Sequence, residues 1–177
     1  MIPVFHSPKY VADIGDHVMP IHKFDLVRER IETLGLGVTI SEPAPVDDED
    51  LLRVHTAAYV QAIATGEPRA LAESQKFPWS QALASSVRYT NGGCIAALEA
   101  ALASGGVAAS LGSGFHHAHA DHGEGFCTFN GLVVALERAH ARGEIRRGLV
   151  IDLDLHYGNG TVSMLRERPH LFNLSIY

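Results

Sequence analysis

The sequence predicts an α/β fold, a three-layer α/β/α domain with a mostly parallel central sheet. Short apolar segments typical of buried strands alternate along the chain with longer segments of helical periodicity. Parallel strands need a crossover between them, usually a helix, and such helices cover both faces of the sheet. At 177 residues the chain has the length of one domain. We therefore predict a single domain over residues 1–177.

Glycines and acidic residues place several boundaries of the predicted elements. Gly35 ends the first helix, the acidic run Asp47–Asp50 opens the second, and Gly66 closes the third. Residues 67–79 are polar, contain two prolines, and are predicted as a surface loop. The strands are predicted at 2–5, 37–40, 107–111, 148–155 and 171–176, and the helices at 25–34, 47–55, 57–65, 81–103, 129–142 and 161–166.

The end of the chain bears on its completeness. The sequence stops at Tyr177, directly after a predicted strand, and no helix follows to cover the sheet. An open parallel sheet is normally covered on both faces. We therefore expect an N-terminal part of a domain that is truncated at its C-terminus.

Composition excludes several classes of function. The net charge is −6 and no stripe of Lys and Arg is present, which argues against nucleic acid as a direct partner. The chain has two cysteines, Cys94 and Cys127, so a disulfide framework is not expected. No secretory signal is visible, and Glu99 interrupts the most apolar run, which excludes a membrane span. We predict a cytoplasmic protein.

The segment Ile151–Gly160 contains the strongest functional signal. It is interpreted as a buried strand that leads into a glycine-rich turn. Alternate residues of a strand share a face, so Asp152, Asp154 and His156 are expected to point the same way. Burying two carboxylates and an imidazole is costly unless a cation or a proton relay uses them. A divalent metal site is predicted there; the structural alternative is that Asp152 merely caps backbone N–H groups.

A second signal lies between the predicted strand 107–111 and the helix 129–142. Four of the eleven histidines, His116, His117, His119 and His122, occur here within seven residues of a glycine-rich loop. Glycine-rich loops suit close approach to a ligand, and histidine suits proton transfer near neutral pH. We favour acid–base roles for His116 and His117. An independent metal site that uses His117 with His119, or His119 with His122, is disfavoured because no cysteines stand at zinc-ribbon spacing.

Together these segments resemble the histone deacetylase family of the arginase/deacetylase fold, in particular its class IV branch. The segment Phe115–Cys127 resembles the double-histidine loop of the family and its Gly-Phe-Cys exit. The segment Ile151–Thr161 is similar to its metal-binding strand and turn. Weaker similarity covers Phe5–Tyr10, His22–Asp25 with Arg28, and Val54–Tyr59.

The resemblance implies a zinc-dependent amidohydrolase that removes acyl groups, such as acetyl, from lysine side chains or related amines. It implies Asp154 and His156 as zinc ligands. It also implies His117 as the general acid and base, with His116 as its partner. The remaining implied positions are Asp152, which would steady His116; Asn159, which would hold His117; Gly125 and Phe126, which would contact the acylated side chain; and Arg28, behind the site.

A structural potassium ion is also implied, near Asp152 and Ser175 and the backbone of Asp154 and His156. The third zinc ligand of the family and its carbonyl-polarising tyrosine come from later segments that these 177 residues do not contain. We therefore expect this chain, taken alone, to lack part of the site. Two alternatives stay open: an acetylpolyamine-type small-molecule amidohydrolase, and a non-catalytic module that binds acylated amines.

Overall fold

The computed structural model describes residues 1–177, and its strands form two parallel sheets. In the first sheet β1 (Ile2–Phe5) lies between β2 (Val38–Ser41) and β3 (Ala109–Ser110). In the second, β4 (Gly148–Asp152) pairs with β5 (Leu171–Ser175). The predicted α/β class with parallel strands is confirmed. Backbone pairing joins the strands into two separate sheets instead of one continuous sheet.

Seven α-helices connect and flank these strands. Four of them begin where a side chain accepts a backbone N–H of the first turn: Asp47 from Asp50, Thr56 from Tyr59, Ser80 from Leu83, and Asn130 from Val133. No helix has the length and apolar character needed to cross a bilayer. The helices are α1 (Lys23–Thr33), α2 (Asp48–Leu52), α3 (Ala57–Thr65), α4 (Arg69–Ala72), α5 (Gln81–Ser104), α6 (Gly131–Ala141) and α7 (Asn159–Leu165).

The main core lies where α3, α5 and α6 pack beneath the loop that precedes α6. Tyr59, Phe129, Val133 and Val134 are fully buried there. Burial of each such side chain stabilises the fold by about 1.5–3 kcal/mol. The hydroxyl of Tyr59 donates to the carbonyl of Thr128 at 2.8 Å. The core thus anchors the C-terminal end of the histidine-rich loop (residues 112–130).

The second sheet buries only one of its faces. Val150 and Asp152 of β4 are buried, while the alternating Leu149 and Ile151 are 56% and 58% exposed. On β5, Phe172 and Leu174 are half-exposed in the same way. The outer face of this sheet is therefore an uncovered apolar surface.

The fourth strand is shorter than the sequence predicts. It ends at Asp152 and not at Leu155, so Asp152, Asp154 and His156 do not share a strand face. The reason is local: the Asp152 carboxylate accepts the N–H of Asp154 at 3.1 Å, and the Asp154 carboxylate accepts the N–H of His156 at 2.8 Å. Such side-chain bonds to backbone N–H groups replace the ladder and turn the chain.

Two smaller expectations are corrected as well. The predicted loop 67–79 contains the helix α4, which begins after Pro68. The predicted strand 107–111 keeps only two paired residues, Ala109 and Ser110, both of them against β1. The guanidinium of Arg28 binds Glu29 and Glu32 along α1, and its implied place behind the site stays a prediction.

Candidate active site

The site forms where the end of β4 meets the loop 112–130 and the start of α7. Gly158, which precedes α7, approaches the Asp152 carboxylate and the His116 ring so closely that a Cβ at this position would collide with them. The backbone N–H of Thr161 in turn donates to the carbonyl of His116 at 2.9 Å. These contacts fix the histidine loop against the strand end.

His116 is held by the buried carboxylate of β4. Its Nδ1 lies 2.7 Å from Oδ2 of Asp152, and the two side chains are 12% and 7% exposed. Because an ionised carboxylate can only accept, Nδ1 carries the proton that is shared. Asp152 thus contacts His116 and also accepts the N–H of Asp154, so the two interpretations are compatible, and its functional role stays a prediction.

His117 is held by Asn159 from α7. Its Nδ1 lies 2.6 Å from Oδ1 of Asn159, and Nδ2 of Asn159 lies 3.1 Å from Oε2 of Glu124. A carboxylate accepts from an amide NH2 and not from an amide oxygen, so Glu124 fixes which way the Asn159 amide points. The Nδ1–H of His117 then donates to Asn159. In the neutral ring, Nε2 keeps its lone pair and can accept a proton.

The turn after β4 brings the two implied zinc ligands together. Oδ1 of Asp154 lies 3.0 Å from Nδ1 of His156 and 3.8 Å from Nε2 of His116. The rings of His117 and His156 are 5.8 Å apart, centre to centre. The pKa of Asp154 is lowered, chiefly by the backbone N–H of His156. The acidic turn and the paired imidazoles thus lie in one place, with an ionised carboxylate between them.

Gly125, Phe126 and Ser175, the other implied positions, are each held in a different way. Gly125 has φ +52°, and its Cα lies against the His117 ring, so a side chain there would collide with the imidazole. The ring of Phe126 stacks on Phe77 at 5.5 Å. Ser175 pairs with Asp152 across the β4–β5 ladder, and its hydroxyl is buried without a hydrogen-bond partner.

A further histidine supports the loop, and sequence reasoning missed it. His55 is buried; its Nε2 accepts the N–H of Asn130 at 3.1 Å, and its Nδ1–H donates to the carbonyl of His119 at 3.0 Å. Burial lowers the pKa of His55 to about 4. These two hydrogen bonds to the backbone require a neutral imidazole, because one ring nitrogen donates and the other accepts. Only the similarity of Val54–Tyr59 to a family segment pointed toward it.

Comparison with known proteins establishes the relationship. Residues 17–177 match the model of the histone deacetylase domain. The chain belongs to the histone deacetylase family. The resemblance predicted from Phe115–Cys127 and Ile151–Thr161 is confirmed at the level of the family, while the likeness to its class IV branch stays a prediction.

Relatives of this histone deacetylase family member agree with that assignment. A probable deacetylase from Methanothermobacter thermautotrophicus is 31% identical over 180 residues, which cover 98% of this chain and 53% of the relative. A histone deacetylase-like amidohydrolase from Pseudomonas aeruginosa is 36% identical over 137 residues, 75% of this chain and 36% of the relative. The chain spans about half the length of curated relatives that match nearly all of it.

A solved structure supports the fold. The crystal structure of the HDA15 HD domain matches with a TM-score of 0.85 at 21% sequence identity, over 98% of this chain and 53% of that one. At this identity the likeness concerns the fold alone. The α/β architecture is thus that of a histone deacetylase domain.

Proposed function

We propose that the protein is a zinc-dependent amidohydrolase that removes acyl groups from lysine side chains or related amines. The observation that carries the proposal is the meeting of two oriented imidazoles, His116 and His117, with the Asp154–His156 pair at one strand end. Binding alone needs no proton-transfer pair. Membership of the histone deacetylase family, and relatives described as deacetylases, point in the same direction.

The donor set fits zinc. A carboxylate oxygen and an imidazole nitrogen are ordinary zinc ligands, and Oδ1 of Asp154 lies 3.0 Å from Nδ1 of His156. Two ligands of this type, both from one short turn, would hold the ion, with further ligands required to complete its coordination. Bound there, zinc would supply a Lewis acid that acidifies water and polarises an amide carbonyl.

The histidines would carry the proton. Nε2 of His117 accepts a proton as water attacks the acyl carbon, and it returns that proton to the amine nitrogen as the C–N bond breaks. Asn159 keeps the Nδ1–H of His117 in place during both transfers, and Asp152 does the same for His116. The immediate products are a carboxylic acid and a free amine; the acid then passes its proton to the amine, which leaves a carboxylate and an ammonium ion, so atoms and charge balance.

Two further parts of the proposal concern substrate and potassium. Gly125, through its carbonyl, and Phe126 would contact the acylated side chain beside His117. The potassium ion implied near Asp152, Ser175, Asp154 and His156 stays a prediction. The described residues add one observation to it, the buried Ser175 hydroxyl that lacks a partner.

The test is hydrolysis of an acetyl-lysine fluorogenic peptide by the zinc-loaded protein, expressed from its complete reading frame. His117→Ala is expected to lower kcat/KM by about 10²–10⁴-fold, the usual contribution of a general acid and base. His140→Gln, a histidine change on α6 away from the site, is the control and should leave the rate unchanged. Equal rates from wild type and His117→Ala would overturn the proposal.

The same assay separates the alternatives. An acetylpolyamine-type enzyme would hydrolyse acetylated polyamines faster than the peptide, and it would do so through the same His117. A non-catalytic module would bind acetylated amines without releasing acetate. The retention of both hydrogen-bonded imidazoles favours the catalytic alternatives over the module.

A further inference from the structure

Next to the proposed active site, the histidine-rich loop forms a second cluster. His119, His122 and Glu124 each present one ligand-capable atom, and these atoms lie within 4.8 Å of one another. The rings of His119 and His122 stack at 4.5 Å with an angle of 8° between their planes. Nε2 of His119 lies 3.2 Å from Oε2 of Glu124. No other group of three such residues in the chain meets this spacing.

The proton on His119 can be placed from its neighbour Ser163. The Ser163 hydroxyl donates its single proton to the carbonyl of Gly160 at 2.7 Å, so it can only accept from Nδ1 of His119, 2.9 Å away. Nδ1 of His119 therefore carries a proton. In the neutral ring, the Nε2 lone pair then faces the Glu124 carboxylate. The Asn159 amide touches both groups, at 3.4 Å and 3.1 Å. A cation placed between these two facing acceptors, whether a proton or a metal ion, would stabilise them.

His122 is oriented in the same manner. Its Nδ1 lies 2.7 Å from Oδ1 of Asp121, and a carboxylate at this distance accepts the Nδ1–H. Nε2 is then the nitrogen left for a metal. A ligand histidine that donates its other N–H to a carboxylate or hydroxyl is the usual arrangement around protein-bound metals. Both histidines of the cluster have such a partner.

The backbone around the cluster is fixed in advance. The N–H of His119 donates to the carbonyl of His122 at 2.9 Å, which closes a tight turn and brings the two rings together. The carbonyls of His119 and Ala120 accept from His55 and from the N–H of Thr56. Holding the ligands would therefore require little further ordering of the chain, since the loop is already bound to the core.

We propose that His119, His122 and Glu124 form a second metal site, for Zn²⁺ or a related late first-row divalent cation. Two imidazoles and one carboxylate suit such a borderline ion and not Mg²⁺, which prefers oxygen ligands. Ligand atoms on a tetrahedral zinc ion lie about 3.3 Å apart, given bonds of about 2.0–2.1 Å. The His119–Glu124 pair already has this spacing. The His122 side chain is half-exposed, so it is free to move its Nε2 to the same distance from the other two ligand atoms. The inference does not depend on catalysis.

The experiment counts zinc ions on the purified protein by equilibrium dialysis and elemental analysis. The background variant is Asp154→Asn, which removes a ligand of the proposed active-site zinc. Adding His122→Gln, or separately Glu124→Gln, is expected to lower the zinc content by one ion per chain. The matched control adds His140→Gln. His140 stacks on His170 at 3.8 Å, and His170 binds Glu137, but these residues do not bring three ligand atoms together. This control should keep the ion.

Cobalt gives a second readout. Co²⁺ bound by two imidazoles and a carboxylate is expected to show visible absorption in the Asp154→Asn protein, and that signal should be lost with His122→Gln but not with His140→Gln. Excess Mg²⁺ should not displace it. Equal zinc content in the Asp154→Asn protein with and without His122→Gln or Glu124→Gln would overturn the proposal. It would leave an imidazole–carboxylate network that binds no metal.

Discussion

Asn159 accepts the Nδ1–H of His117 through Oδ1, with 2.6 Å between the two atoms. The same amide donates to Glu124 at 3.1 Å, which leaves it no freedom to flip. One residue of α7 therefore sets the tautomer of the proposed general base and also touches the proposed second metal site. This double contact makes Asn159 a positioning residue whose replacement is informative.

Asn159→Leu is expected to lower kcat by about 10–100-fold with little change in KM, because the orienting acceptor for His117 is lost while the substrate contacts remain. Asn159→Asp keeps an acceptor at nearly the same place and should retain more activity than the leucine variant. Steady-state kinetics on the zinc-loaded protein measures both. Equal losses in the two variants would mean that the acceptor plays no part.

Gly125→Ala is expected to reduce both stability and activity. Gly125 has φ +52°, a left-handed conformation that costs a residue with a side chain about 1–2 kcal/mol, and the new methyl group would also push on the His117 ring. Gly15→Ala is the matched control, since Gly15 has φ +70° but no neighbour near the added carbon. Urea unfolding should show a loss for both variants.

Only Gly125→Ala should lose kcat/KM, because only there does the added carbon meet the imidazole. If Gly15→Ala lost activity to the same degree, backbone strain alone would account for the effect. If neither lost activity, the close approach of Gly125 to His117 would have no catalytic meaning.

His55 makes stability depend on pH. Burial lowers its folded-state pKa to about 4 from the ordinary value of 6.5, so between these values the unfolded chain binds a proton that the folded chain does not. The free energy of unfolding should therefore fall as pH decreases through this window, by up to roughly 3 kcal/mol from this group. Above this window His55 is neutral in both the folded and the unfolded chain, so it no longer contributes to the pH dependence of stability.

His55→Asn is the test of that dependence. An asparagine amide can still donate to the carbonyl of His119 but does not titrate. The variant should be less stable at neutral pH, while its stability should change less between about pH 7 and about pH 5. His22→Asn, at an exposed helix start, serves as the control and should keep the slope of the wild type. An unchanged slope in His55→Asn would show that other groups set it.

Local signals in the sequence predicted much of the fold. Gly66 closes the third helix where the sequence predicts it, since a cap acts within one turn of backbone. The end of β4 was misplaced because the Asp152 side chain competes with the ladder, and periodicity does not register such competition.

The proposed active-site residues were visible as motifs, but the roles of His55 and Glu124 were not. His55 acts on residues 64 and 75 positions away, and Glu124 reaches Asn159 from 35 positions away. Contacts of such separation depend on how the loop 112–130 packs against α3 and α7. No spacing within a single motif contains that information.

The uncovered outer face of β4 and β5 bears on how the molecule fluctuates. Leu149, Ile151, Phe172 and Leu174 contribute little burial, so this sheet should open locally more often than α5 with its many buried residues. Amide hydrogen exchange would show this as faster deuterium uptake in β4 than in the middle of α5; equal protection would contradict it. Asp152 ends that strand and Asp154 follows it. Ion capture at the turn would therefore slow exchange in both strands, because the free energy of coordination adds to the free energy needed to open the strand pair.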